Sequence, residues 1–324
     1  MGIGIETVGT LRRLAAAASV ALVLATPVVA QDSGWPRTIA HERGELVLDA
    51  RPVTILSTTP SVTGTLLSIG APVTASAATT PSAITDDKGF FSQWAAVADE
   101  RGVAVLYPNL EFDLEAVIAA DPDLVIVSTS GADSVLDHYD ELVAQGIPTL
   151  VVNYSNKSWQ DLALQLGAAT GNEAEAQAAI DRFDAYVADA ATKITPPAGG
   201  ATIASFNGTR SDSAIGKLTG PHAGLFEALG IDVIEAPAEL DTSAQARSDF
   251  IFVTLENLSA AIGGDSVFLL SGTPATVDAF IAEPTLANLP AVTSGQVYPL
   301  GPTSFRLDYF SGMELIDRLV DILD

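Results

Sequence analysis

A chain of 324 residues, 48% hydrophobic and 17% charged, is long enough for roughly two domains of about 150 residues and too apolar to stay unfolded. Its 15 Lys and Arg against 40 Asp and Glu give a net charge of −25, which repels phosphate and argues against nucleic acid as a partner. The absence of Cys removes disulfides, thiolate metal ligands, a thiol nucleophile and lipid attachment through an N-terminal Cys.

Residues 1–30 come first. Arg12-Arg13 precede an apolar run from Leu14 to Leu24, and Pro27-Val28-Val29-Ala30 then stand ahead of polar Gln31-Asp32-Ser33. That order reads as a secretory signal with cleavage expected after Ala30. The apolar run is too short to span a bilayer, and Val28 and Ala30 are the small residues a signal peptidase accepts. The Arg pair leaves general and twin-arginine export both open. No later stretch is long and apolar enough to cross a membrane, so a free periplasmic product without a lipid anchor is expected.

A hairpin turn is expected at Glu42-Arg43-Gly44-Glu45, and residues 31–171 then read as one α/β lobe. Its signals are a strand from Pro52 to Ser57, a helix from Val62 to Ile69 ending at Gly70, and a strand from Pro72 to Ala75. A helix from Asp113 to Ala120, stopped by Asp121-Pro122, leads to the apolar strand Leu124 to Val127. A helix from Ser134 to Gln145, ended by Gly146, leads to the strand Thr149 to Val152. Apolar strands spaced by helices imply a parallel sheet covered on both faces.

Residues 172–195 read as one long linking helix, with Ala176, Ala179, Ile180, Phe183, Tyr186 and Val187 on one stripe and Pro196-Pro197 closing it. Residues 196–324 repeat the scheme. A strand from Ala201 to Phe206 is followed by a Gly/Ser-rich loop, a helix from Ala223 to Leu229 before Gly230, and Asp232-Val233-Ile234. Further strands are expected at Asp249 to Val253, Val267 to Leu270 and Gln296 to Leu300, ahead of a terminal helix. The fold class is therefore α/β: two Rossmann-like lobes with mainly parallel sheets, joined by one long α-helix, with a ligand cleft between them.

No constellation for catalysis accompanies this fold. Gly208 to Lys217 superficially suggests a phosphate loop, but Ser211 stands where Gly is needed and Leu218 where Ser or Thr is needed. Neither a G-x-S-x-G elbow nor an H-E-x-x-H pair occurs. His41, in a polar turn, and His138, on the outer side of a helix, read as solvated. His222 follows Gly220-Pro221 at a helix start near the expected cleft, where ligand contact and helix capping are equally good readings. An enzyme is not expected, nor a resident cofactor or metal.

Several segments carry a resemblance. They are Ser57-Thr58, Thr63-Gly64-Thr65-Leu66-Leu67, Ala78-Thr79-Thr80-Pro81, Asp86-Asp87-Lys88-Gly89-Phe90 with Gln93-Trp94, and Asp121-Pro122-Asp123-Leu124. Asn153-Tyr154, Lys157-Ser158-Trp159 and Phe305-Arg306-Leu307-Asp308-Tyr309 complete the set. Together they resemble the periplasmic ferric-enterobactin-binding proteins of ABC importers, within the wider iron-siderophore and cobalamin binding-protein family, over essentially the whole chain after residue 30. The Asp-Pro-Asp-Leu element is shared by the wider family, whereas Phe305 to Tyr309 with the Trp-containing segments is more specific.

The resemblance implies two α/β lobes on a rigid linking helix, a shallow cleft, a ferric catecholate siderophore as cargo and an inner-membrane permease as partner, with the protein a monomer. Iron would enter only inside the siderophore complex. A ferric tris-catecholate is anionic and built of flat rings, so it calls for Arg or Lys beside ring oxygens and for aromatic side chains. The foremost candidate is Arg306, flanked by Phe305 and Tyr309. Arg210 and Lys217 in the loop after the first strand of the second lobe, Arg247 before the next strand, and His222 are further candidates. In the first lobe they are Lys88, Trp94 and Tyr107. One departure stands out: the family carries an Arg between Thr80-Pro81 and Asp86, where this chain has Ser82-Ala83-Ile84-Thr85, leaving Lys88 as a substitute cation. Permease docking through one acid per lobe points to Asp133 and Asp278, both of which also read as ordinary acids at helix starts. Another iron chelate (a hydroxamate or citrate), haem or cobalamin in the same cleft, and a secreted siderophore hydrolase, are the alternatives.

Overall fold

The structure, a computed structural model, describes residues 1–2, 34–243 and 247–324. The expected secretory signal lies outside the described residues, apart from its first two positions. A hairpin opens the described chain, β1 (Arg37–His41) pairing antiparallel with β2 (Gly44–Leu48) across a turn at Glu42 and Arg43.

The first lobe is built on β3 (Ile55–Ser57), β4 (Val73–Ser76), β5 (Ala104–Val105), β6 (Leu124–Ser128) and β7 (Thr149–Val152). They form one parallel sheet in the order β5-β4-β3-β6-β7. Every residue of β3, β6 and β7 is buried, as continuous apolar runs require when helices cover both faces. The helices are α1 (Pro60–Ser68), α2 (Ser92–Glu100), α3 (Leu114–Ala119), α4 (Tyr139–Ala144) and α5 (Trp159–Thr170). Asp113 caps α3 by accepting from the Ala116 N–H, and Ser158 caps α5 by accepting from the Asp161 N–H. The helix expected over Ser134 to Gln145 is divided, a short 3-10 turn at Leu136–His138 running into α4.

The linking helix α6 (Glu173–Ala191) is shorter than the expected 172–195, contains the whole stripe and buries Ala176, Ala179, Ile180, Phe183, Val187 and Ala190. The second lobe contains β8 (Ala201–Ser205), β9 (Ser213–Gly216), α7 (Pro221–Ala228), β10 (Phe250–Val253), α8 (Leu255–Ala261), β11 (Ser266–Leu270), α9 (Pro274–Ala282), α10 (Pro290–Thr293), β12 (Val297–Pro299) and α11 (Tyr309–Leu323). Its sheet order is β10-β9-β8-β11-β12. The halves are not the same fold twice: β8, β11 and β12 run parallel, but β9 is antiparallel to both of its neighbours. The Gly/Ser-rich loop expected after β8 thus holds a strand. Asp232-Val233-Ile234 contributes only a single parallel bridge, Val233 to Ala201.

The lobes are joined by more than one helix. The terminal helix α11 doubles back and packs on α6, α1 and α2, so it touches both the linker and the first lobe. One continuous apolar core includes Leu66 and Trp94 of the first lobe, Phe183 of α6, Leu225 and Phe268 of the second lobe, and Ile316 of α11. Two glycines allow this closeness. A Cβ on Gly64 would stand 2.7 Å from an Asp308 carboxylate oxygen and 2.8 Å from the Trp94 ring, and one on Gly312 would stand 2.7 Å from the Phe183 ring. Among the described residues, no helix is long and apolar enough to cross a membrane.

Candidate functional site

Loops of both lobes enclose a cavity of about 390 Å³. The first lobe contributes Ser61 of α1, Phe91 and Gln93 at the start of α2, and the β7–α5 loop from Tyr154 to Trp159. The second lobe contributes the lead into α7 (Thr219 to His222), the lead into β10 (Arg247 to Phe250) and the segment Phe305 to Asp308 before α11. Several helices therefore begin in this wall. Their free N–H groups bias it toward negative ligands, although Ser158 and Asp308 already cap α5 and α11.

Among the described residues three long cations line the cavity, and their partners separate them. Arg247 makes a two-pronged pair with Asp249 at 2.8 and 2.7 Å, which raises its pKa further. Lys157 is paired with Glu42 at 2.9 Å. Arg306 has no carboxylate partner among the described residues. Its Nη1 reaches across from the second lobe to hydroxyls of the first, donating to Ser61 Oγ and lying 3.3 Å from Tyr154 Oη. The guanidinium also stands 5.8 Å from the centre of the Phe91 ring and 5.7 Å from that of Tyr154.

Aromatic surface surrounds this charge. Phe305 is exposed and stacks on Phe250, ring centres 5.3 Å apart and planes 15° from parallel. Tyr154 is fixed from behind, its hydroxyl donating to Asp133 at 2.9 Å. Burial first, and the Asp133 carboxylate second, push the Tyr154 phenol upward, while Arg306 opposes them. Asp308 is buried under the same wall, where desolvation raises its carboxyl against the bonds it accepts from Ser311 and Gln93. His222 is buried too, and desolvation lowers its imidazole, keeping it neutral.

The structure gathers only some of the expected residues. Arg306, Phe305, Arg247 and His222 line the cavity. Trp94 does not: it is fully buried against Phe90 and Phe91, because its face of α2 is the one that meets α1 and α11. Tyr107 is 3% exposed, its ring edge-on to Phe112 and its hydroxyl turned to the Thr58 carbonyl, in the core rather than at a loop mouth. Tyr309 packs edge-on to Trp159 behind the wall. Lys88 is held by Asp86 and Asp99 away from the cavity, so it supplies no substitute cation there. Arg210 and Lys217 stand at opposite ends of β9. Arg210 is exposed in the β8–β9 connection, and Lys217 donates to the Arg247 carbonyl at 2.9 Å.

Of the two acids, Asp133 is only 5% exposed, its carboxylate accepting from the Ser61 N–H and the Tyr154 hydroxyl, so it is not presented to a partner. Asp278 is exposed on α9. His41 and His138 sit elsewhere: His41 accepts from the Val151 N–H, and His138 stacks on Phe112 and pairs with Glu141. The sequence reading missed Tyr154, Phe91 and Gln93 as wall residues. Tyr154 stands two residues after the strand Thr149 to Val152, and that position is the usable signal.

Comparison with known proteins places this arrangement. Residues 55–303 match the family described as Periplasmic binding protein. The chain is 42% identical over 301 residues to the ferric enterobactin-binding periplasmic protein FepB of Escherichia coli O6:H1, covering 92% of this chain and 94% of that one. It is 28% identical over 196 residues to the iron(3+)-hydroxamate-binding protein FhuD of Bacillus subtilis, covering 59% of each chain. Among solved structures, holo-ViuP superimposes with a TM-score of 0.81 at 38% identity, covering 89% of this chain and 95% of that one. On the family match and the FepB likeness together, this chain belongs to the periplasmic binding protein family.

Proposed function

We propose that the protein is a periplasmic receptor that captures a ferric catecholate siderophore intact and delivers it to the inner-membrane permease of an ABC importer. The observation that carries this reading is Arg306, a guanidinium without a carboxylate partner among the described residues, set between the lobes and beside Phe91, Tyr154 and Phe305. A ferric tris-catecholate offers what that arrangement takes: anionic ring oxygens for the guanidinium and flat rings for the aromatic side chains. The 42% identity to a ferric enterobactin-binding relative over nearly the whole chain favours a catecholate over the hydroxamate of the more distant relative.

In this reading the iron is cargo, already chelated, so the protein supplies neither a metal ligand nor a cofactor and leaves the siderophore chemically unchanged. The signal at residues 1–30 is removed on export, and the mature protein works as a monomer. Asp278, exposed on α9, is the acid of the second lobe available to the permease. Lobe movement on binding is small, because α6 and α11 both tie the lobes into one core. Titration with ferric enterobactin, ferric hydroxamates, ferric citrate, haem and cobalamin, followed by tryptophan fluorescence, to which Trp159 in the wall contributes, tests it. Saturable binding of the catecholate above the others, with its mass unchanged after long incubation, is the expected result. Preference for another chelate, or a cleaved siderophore, would overturn it.

A further inference from the structure

The segment that carries Phe305 and Arg306 is held by backbone and side-chain bonds that the ligand reading does not use. His222, second residue of α7, is 3% exposed, and its Nε2 lies 2.8 Å from the Ser304 carbonyl oxygen. A carbonyl only accepts, so Nε2 carries the proton and donates. Nδ1 is then a bare acceptor, sealed from solvent and without a partner. A buried acceptor left unpaired costs stability, and an apolar side chain at this position would avoid that cost. The bond from Nε2 is what the imidazole adds in return.

Ser304 is itself a buried junction. Its hydroxyl donates to the Gly301 carbonyl at 2.8 Å and accepts from the Ser271 N–H at 2.9 Å. Ser271 adopts φ +51°, a left-handed conformation that costs a non-glycine residue, and it does so where its N–H meets Ser304. On the other side, Ser311 Oγ donates to the Arg306 carbonyl at 2.7 Å, within the capping box that Asp308 and Ser311 form at the start of α11. The chain is thus pinned just before Phe305 and at Arg306. The His222 ring also lies 5.6 Å from that of Phe250, on which Phe305 stacks.

We propose that His222 is a positioning residue for Phe305 and Arg306: as the neutral Nε2–H tautomer it holds the Ser304 carbonyl, and so aims the guanidinium at Ser61 and Tyr154 across the cleft, without touching the ligand itself. Its effect on affinity rests on the ferric catecholate reading; its effect on the segment does not. The charged group just before β10 that faces it, Asp249, is already engaged by Arg247, and burial outweighs it in keeping the ring neutral.

The test compares His222→Gln, whose amide N–H reaches the place of Nε2, with His222→Asn, whose amide reaches only the place of Nδ1. Hydrogen exchange is followed without ligand, and affinity is measured with ferric enterobactin as the probe. Exchange at the Ser271 and Asp308 amides, which donate to Ser304 Oγ at 2.9 Å and to Ser311 Oγ at 2.8 Å on either side of Phe305 and Arg306, should rise about tenfold in His222→Asn and stay within about threefold in His222→Gln, and affinity should follow the same order. Arg306→Ala should also cost less affinity in the His222→Asn background than in the wild type. Equal exchange in the two variants would overturn the proposal, as would weakened binding with the segment unchanged, which would mean direct contact. If the wild type does not bind ferric enterobactin, the functional reading fails while the exchange contrast still decides the positioning role. Nitrogen NMR of the wild-type ring gives a check that needs no variant: protonation on Nε2 is expected, and an Nδ1–H tautomer would contradict it.

Discussion

The two walls of the cleft are built differently. The first-lobe wall presents hydroxyls and rings with no unpaired cation, Tyr154 being hydrogen-bonded to the Asp133 carboxylate behind it and Lys157 paired with Glu42. The second-lobe wall presents Arg306, a cation bound only to hydroxyls of the opposite lobe, beside the Phe305 and Phe250 stack. In the proposed reading the difference means that ligand charge is met from the second lobe, while the first supplies stacking surface and orientation. It also means that two arginines of one wall are unequal, because Arg247 spends its charge on Asp249.

The sharpest way to break this comparison is Arg306→Ala. Affinity for a ferric catecholate should fall by about 1.5–3 kcal/mol, the scale of a lost charge-assisted hydrogen bond, with little change in melting temperature. Next is Asp133→Asn. It keeps a side chain that can face Tyr154 but removes the charge behind it, and should cost about 1 kcal/mol of affinity, measured by the same titration. Arg247→Ala should cost less than about 1 kcal/mol, since an exposed pair with Asp249 is lost along with any ligand contact. A loss equal to that of Arg306→Ala would show that pairing does not rank the cations.

A smaller effect follows from His222, whose imidazole is lowered from its usual 6.5 by burial. As pH falls below 6.5 the unfolded chain takes up a proton that the folded chain refuses, so this group's contribution to stability is present at neutral pH and lost toward acid. The melting temperature of the wild type should therefore drop more between pH 6.5 and about 5 than that of His222→Gln. Identical pH profiles would contradict it.

What was legible in the sequence follows from how local each feature is. The buried strands β3, β6, β7, β8 and β11 announced themselves as β-branched and apolar runs, and Gly70, Gly146 and Gly230 ended helices in the left-handed conformation expected there. Strand β9 did not, because Ser213-Ala214-Ile215-Gly216 has one large apolar residue and is a strand only through its neighbours β8 and β10. The return of α11 onto the first lobe was equally hidden, since it depends on Gly64 and Gly312 allowing close approach of distant segments. Arg306 and Phe305 could be found because a loop before a helix presents them. Trp94 and Tyr107 were misplaced because residue type does not say which way a ring turns, and both turn into the core.

The central claim is that Arg306 reads the negative charge of the ligand from the second lobe. It is tested most directly by titrating the wild type and Arg306→Ala with ferric enterobactin and with an uncharged ferric hydroxamate. The account predicts that the wild type prefers the catecholate and that this preference collapses in the variant, while affinity for the uncharged chelate barely moves. An unchanged preference in Arg306→Ala would contradict it.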